Sequence, residues 1–237
     1  VVESGSDVAT GPAEPRSPRK AELTRNKIVD AALGLFAERG FEQTTMRLIA
    51  DRAGVSVGNA YYYFRSKEDL MQAYYRSLFE AYAENVTPAL EIETDFVRRL
   101  TVAVIAWLDT ARPYHAFAGA FFRIAADPSS PLSPFSVESR PTRDAMTQVF
   151  EQVVTGAKRL RTSDEVRARL PELLWLFHMG VVLRWVYDAS PDQAETRLLV
   201  ERTAPVIGQL VGLSRLPVLR GSANDLMALF DLLSGRP

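Results

Sequence analysis

Residues 45–67, TMRLIADRAGVSVGNAYYYFRSK, decide how this 237-residue chain folds. Met46, Ile49 and Ala50 fall at i, i+3 and i+4, which puts three apolar side chains on one face of a short helix. Thr45 stands where an N-cap belongs. Gly54 stops the helix, because glycine enters the left-handed region without steric cost. Ser56 sits at or beside the next N-cap. Ala60 and Phe64, four apart, turn inward, so Val57, Gly58, Tyr61 and Tyr62 are left on the outer face of a second short helix. Ser66-Lys67-Glu68-Asp69 is a capping-box pattern that opens a third. Helix, short glycine-containing turn, helix is the helix-turn-helix arrangement, whose second helix enters the DNA major groove.

The outer face carries chemistry suited to that task. Gly58 is a poor helix former, by roughly 1 kcal/mol against Ala, but its bare backbone permits close approach to a base edge or phosphate. The hydroxyls of Tyr61 and Tyr62 can donate to phosphates, and their rings can pack on thymine methyls. Lys67, at a helix N-terminus, is placed to anchor a phosphate. The competing reading is that the tyrosines merely cover a neighbouring helix.

Residues 25–70, RNKIVDAALGLFAERGFEQTTMRLIADRAGVSVGNAYYYFRSKEDL, resemble the N-terminal DNA-binding domain of the tetracycline-repressor (TetR) family. The matching signature is A-x-x-L-F-x-x-x-G-[FY]-x-x-T-T-[MV]-x-x-I-A-x-x-A-G-V-S-x-G-x-x-Y-x-Y-F-x-x-K-x-x-L. The resemblance implies an all-α homodimer that represses transcription and leaves DNA when a small molecule enters its C-terminal domain. Carried over by position, it brings Val57, Gly58 and Tyr61 to bases, and Thr45, Ser56, Tyr62 and Lys67 to phosphates. The family position of Val57 is variable and often polar; an apolar residue there can read a thymine methyl but donates nothing.

Gly54-Val55-Ser56-Val57-Gly58 also matches G-x-S-x-G, the nucleophile elbow of α/β-hydrolases. That elbow needs a strand before the serine, and the residues before Ser56 have a helical period.

Composition agrees with a soluble globular chain: 47% hydrophobic and 24% charged residues. The absence of Cys excludes disulfides, thiolate zinc sites and cysteine nucleophiles, and fits a cytoplasmic location. The net charge of −1 hides an asymmetry. Residues 16–67 hold ten Lys and Arg against five Asp and Glu, whereas the flanking segments are acidic. A basic head on an acidic body is the electrostatic footprint of a nucleic-acid binder. The longest strongly apolar run, Leu173 to Leu183, is about half of the roughly 20 residues a membrane span needs, so no membrane partner is expected. No secretory leader is visible, since the polar, Pro- and Gly-containing N-terminus has no apolar core.

In chain order, residues 1–20 read as a disordered tail, whose Arg16, Arg19 and Lys20 could reach the DNA backbone as a flexible arm. A first helix is expected from about Leu23 to Arg39, with Ile28, Ala31, Ala32, Leu35 and Phe36 on its apolar face and Gly40 as its stop. It completes a three-helix DNA-binding domain over residues 21–67. Residues 68–237 form a larger helical ligand-binding and dimerisation domain. The helix after Ser66 is expected to end near Val86, before Pro88. Further helices are expected at about 94–110, 113–126, 137–159, 164–188, 191–213 and 223–234. Ser190-Pro191-Asp192-Gln193 has the form of a capping box with Pro at N1.

The body is dense in aromatic residues, and the family resemblance puts a ligand pocket among its middle helices. The candidates are Trp107, His115, Phe121, Phe122, Trp175 and His178, with Arg123 and Arg184 as further polar groups. The two histidines lack any metal-binding spacing, and neither metal nor cofactor is expected. Ala204, Gly208 and Gly212 make a small-residue ridge at i, i+4 and i+8 that lets another helix approach closely. By the same resemblance the last two long helices form a dimeric four-helix bundle, with a kink at Pro205. The expected partners are thus a palindromic operator in double-stranded DNA, a small apolar effector and a second copy of the chain. The rival is a helical enzyme or apolar-ligand carrier that does not use DNA. It would need a convergent catalytic set, and no Ser/His/Asp spacing, metal cluster or phosphate loop is evident.

Overall fold

The computed structural model describes residues 18–214, and every regular element within them is helical. The order is α1 (Pro18–Arg39), α2 (Met46–Ala53), α3 (Val57–Tyr63), α4 (Lys67–Ile92), α5 (Phe96–Ala111), α6 (His115–Ala125), α7 (Arg140–Thr155), α8 (Asp164–Val186) and α9 (Ala194–Leu213). Single 3₁₀ turns, Arg112–Tyr114 and Pro191–Gln193, precede α6 and α9. No helix among the described residues is long and apolar enough to cross a membrane. The helix expected near 223–234 and the tail residues before 18, Arg16 among them, lie outside the described residues.

Two apolar clusters organise the chain. The first joins Ile28, Phe36, Ile49, Ala60 and Phe64 of α1–α3 to Leu70 and Met71 of α4, and extends to Phe117 of α6 and Leu132. The second fills the body between α4, α5, α7, α8 and α9. Helix α4 belongs to both. At about 1.5 Å per residue its 26 residues span roughly 39 Å, so one rigid element links the head to the far end of the body.

Four expectations are corrected. Helix α1 starts at Pro18, so Arg19 and Lys20 are helical rather than part of the tail; proline is tolerated in a first turn, where its missing N–H has no partner to lose. Helix α4 continues through Pro88 to Ile92, and Glu93 N bonds Ala89 O at 3.1 Å. Tyr82, Val86 and Leu90, buried on both sides of the proline, hold the helix together past the lost hydrogen bond. Ser190 and Gln193 form no capping box. Both Asp192 and Gln193 have φ of 53°, and α9 begins one turn later than expected. Ser190 Oγ still caps the start of α9, accepting from Glu195 N at 3.1 Å, and the buried carboxylate of Asp188 shares the task, accepting from Thr196 N at 2.8 Å and Thr196 Oγ1 at 2.6 Å, and from Ser190 N and Oγ at 2.9 and 2.6 Å.

The fourth concerns the small-residue ridge, which turns to α5 of its own chain. Ala204 is fully buried within the protomer, and a Cβ on Gly208 would lie 2.6 Å from Val97 Cγ2. Ridge and close approach are real, but Ala204 and Gly208 are spent on the α5–α9 contact. Gly212 alone of the three has open space where a Cβ would stand. Helix α9 runs on through Pro205.

Candidate nucleic-acid interface and apolar cavity

The head is built from local caps. Thr45 Oγ1 accepts from Leu48 N at 3.3 Å and opens α2, and Gly54, with φ of 68°, closes it. Ser56 Oγ accepts from Asn59 N at 3.1 Å and opens α3. Ala60 and Phe64 are buried beneath α3. The opposite face is open: Tyr61 and Tyr62 are 50% and 80% exposed, and a Cβ on Gly58 would meet nothing within 4 Å. Thr45 and Ser56 are exposed beside them, whereas Val57 is half-buried against the head core. Among the described residues the tyrosines therefore cover no neighbouring helix. A bidentate pair, Arg52 to Glu38 at 3.0 and 2.8 Å, ties α2 to α1 and fixes the frame on which α3 stands.

Lys67 is more constrained than its position at a helix N-terminus implies. Its Nζ donates to Phe41 O at 2.7 Å and lies 4.3 Å from the centroid of the Phe41 ring. One of its three N–H groups is thus used to hold α4 against the turn before α2. Asp69 N donates to Ser66 Oγ at 3.1 Å, while the Asp69 carboxylate accepts from Arg65 N rather than Ser66 N, a capping box shifted by one residue.

The body encloses a cavity of about 730 Å³ between α4, α5, α6, α7, α8 and the loop before α7. This is the size of a site for a drug-sized molecule. Of the candidates from the sequence, Trp107, Phe121, Phe122, Trp175 and His178 line it. His115 does not. Its Nε2 is 2.8 Å from Trp185 O and its ring packs edge-on against Trp185, so it braces the wall from behind. Arg123 is exposed, and Arg184 is paired with Glu195 outside the cavity. Sequence reasoning missed Tyr74 and Tyr75, which with Phe79 let α4 itself wall the cavity, and Arg143 of α7. The aromatic run on α4 was a usable signal; nothing in the pattern marked Arg143.

His178 is 1% exposed, with Trp107 edge-on at 4.8 Å and Phe150 at 5.8 Å, and its Nδ1 has no hydrogen-bond partner among the described residues. Burial alone pulls its pKa from 6.5 to about 3, so the ring is neutral. The unfolded chain protonates below pH 6.5 and the folded chain does not, so folding stability falls as pH drops through that window. The expected slope from this residue is about 1.4 kcal/mol per pH unit. Urea melts of the wild type and His178→Phe between pH 7 and about 5 check it: the variant loses that slope, and parallel pH dependences would refute it.

An exposed aromatic recognition helix on a small helical head, joined by one long helix to a body with an apolar cavity, defines a helix-turn-helix protein with a helical effector-type domain. Residues 28–74 match the family described as bacterial regulatory proteins, tetR family, and residues 99–227 match the tetracyclin repressor-like C-terminal domain. The chain belongs to the TetR family of bacterial regulatory proteins.

The transcriptional repressor KstR2 of Mycolicibacterium smegmatis is 29% identical over 102 residues, 43% of this chain and 50% of that protein. The transcriptional regulator HbdR of Aromatoleum sp. is 36% identical over 90 residues, 38% of this chain and 39% of that protein. The matches thus span half or less of these curated relatives. Among solved structures, a TetR-family regulator from Syntrophomonas wolfei superposes with a TM-score of 0.66 at 18% identity, covering 79% of this chain and 95% of that one. FadR of Thermus thermophilus, a TetR-family repressor solved with lauroyl-CoA, gives 0.55 at 24% identity, covering 76% and 93%. At these identities the structural matches speak for the fold.

Proposed function

We propose that the chain is a ligand-responsive repressor that binds a palindromic operator as a homodimer and is released by a small apolar effector. The observation that carries this reading is the sharing of α4: Tyr74, Tyr75 and Phe79 wall the cavity while Leu70 and Met71 of the same helix lie in the head core. A second route runs through α6, where Phe117 lines the cavity and stacks on Phe36 of α1 at 5.9 Å. An effector that displaces α4 or α6 must therefore move the head. It shifts the DNA-binding equilibrium only by its difference in affinity for the two arrangements.

In this reading Val57, Gly58 and Tyr61 meet bases, and Thr45, Ser56, Tyr62 and Lys67 meet phosphates. Dimerisation uses an apolar stripe that the ridge residues do not supply. Leu176 and Leu183 of α8, and Leu199, Val206, Leu210 and Leu213 of α9, are solvent-exposed in the single chain and recur at helical spacing. Paired across a two-fold axis, α8 and α9 make a four-helix bundle. The two recognition helices must then stand about 34–36 Å apart to enter successive turns of the major groove. Sedimentation equilibrium at micromolar concentration tests it: the mass should be twice the 26.4 kDa of one chain, and a monomer would contradict the proposal.

A further inference from the structure

The cavity's charge is as one-sided as its size is generous. Among the described residues that line it there is no Asp, Glu or Lys; the one formal charge is Arg143, in the first turn of α7. Arg143 Nη1 donates to Pro134 O at 2.6 Å and Ser136 O at 3.2 Å, both in the loop between α6 and α7, and no carboxylate among the described residues pairs with it. The neighbouring charges of α7, Arg140 and Asp144, are exposed and do not line the cavity.

The same loop marks the mouth. Phe135 lines the cavity, packs edge-on against Trp175 at 5.3 Å and is still 65% exposed. Ser133, Ser139 and Thr142 line the cavity around Arg143, so the polar groups gather at one end. The rest of the lining is apolar or aromatic; burial keeps the His178 ring neutral and pushes the Tyr74 and Tyr75 phenols up, so they carry no charge either. Burying an isolated charge in such surroundings is costly, whereas a guanidinium with N–H groups to spare at the entrance receives a carboxylate in bidentate fashion.

We infer that the effector is a monoanionic amphiphile, an apolar body bearing one free carboxylate, with the carboxylate held by Arg143 at the mouth and the body among the aromatic side chains within. This rests on the cavity being the effector site and adds the ligand's chemical class. A cationic amphiphile of the same shape finds no counter-charge, and a neutral one leaves Arg143 unused.

The test is displacement of the neutral dye Nile red from the full-length protein by hexadecanoate, hexadecanol, hexadecyltrimethylammonium and hexadecanoyl-CoA. Hexadecanoate should displace the dye at a concentration about tenfold or more below that of the alcohol, with the ammonium weakest. Arg143→Gln should bring the acid to the level of the alcohol, and Arg143→Lys should keep the preference. Equal potency of acid and alcohol in the wild type overturns the inference, as does a preference that survives Arg143→Gln. Tighter binding of the CoA thioester than of the free acid overturns the free carboxylate. In all these outcomes the cavity still binds apolar molecules. If the dye binds and none of the four displaces it, or the dye does not bind at all, the effector-site reading falls together with the inference.

Discussion

Replacing Arg99 with methionine is expected to cost the fold on the order of 3–5 kcal/mol, enough to lower Tm by about 10 °C. Arg99, 4% exposed, donates to Leu90 O and Glu93 O at the end of α4, and to Gln152 O at 2.6 Å and Val153 O at 3.0 Å at the end of α7. Helix C-termini present unpaired carbonyls and the negative end of the dipole. One guanidinium answers two of them at once. Burial pulls the Arg99 pKa below its ordinary value, with Glu93 opposing. Methionine fills similar space but donates nothing, so Leu90 O, Glu93 O and Val153 O lose the Arg99 donor and Gln152 O keeps only Gly156 N, at 3.0 Å.

Gly156 reports on the same knot. A Cβ there would lie 2.1 Å from Arg99 Nη2, and the guanidinium cannot withdraw without breaking its bonds. Gly156→Ala is therefore expected to lose stability comparably, although its φ of −75° suits any residue. Thermal melts check both variants; a Tm within about 2 °C of the wild type in either case would refute the assignment. Because Arg99 pins α4 at the end away from the head, it is also the point about which an effector acting on Tyr74–Phe79 would swing the helix.

Tyr61→Ala is expected to weaken operator binding by about 1–3 kcal/mol per half-site, and so by about 2–6 kcal/mol for a two-fold complex. The side chain has no hydrogen-bond partner to lose among the described residues and is half exposed, so Tm should hold. Lys67→Ala makes a useful contrast. It removes a cation that the proposed function assigns to the phosphates and also the bond to Phe41 O, so it should lower both DNA affinity and Tm. Fluorescence anisotropy on one operator at fixed salt, beside thermal melts, separates the two. Operator affinity unchanged in both variants would mean that α3 does not read DNA.

What was legible in the sequence was local. Thr45, Gly54 and Ser56 act on their own neighbours, so their spacing suffices to build α2 and α3 and to turn Tyr61 and Tyr62 outward. Where distant groups compete, the pattern misleads. Ser190 does cap Glu195 N, but Gln193 does not reach back to it, and the buried Asp188 supplies the acceptor for Thr196. Pro88 looked like a stop, but burial of Tyr82, Val86 and Leu90 carries α4 past it. Ala204 and Gly208 make a close-approach surface that α5 of the same chain occupies, because spacing says nothing about which helix arrives. His115 and Arg143 exchange roles for the same reason. The partner of His115 is a carbonyl 70 residues away, and the loop that brings Arg143 to the cavity has no period to read.

The most direct test of the central claim is selection from random duplex DNA by the purified protein at about 0.15 M salt, where non-specific phosphate attraction is already weakened. The account predicts recovery of a palindrome whose half-sites lie one helical turn, or a multiple of it, apart. Enrichment of a single asymmetric site, or of no sequence at all, would contradict a dimeric regulator that reads DNA through α3.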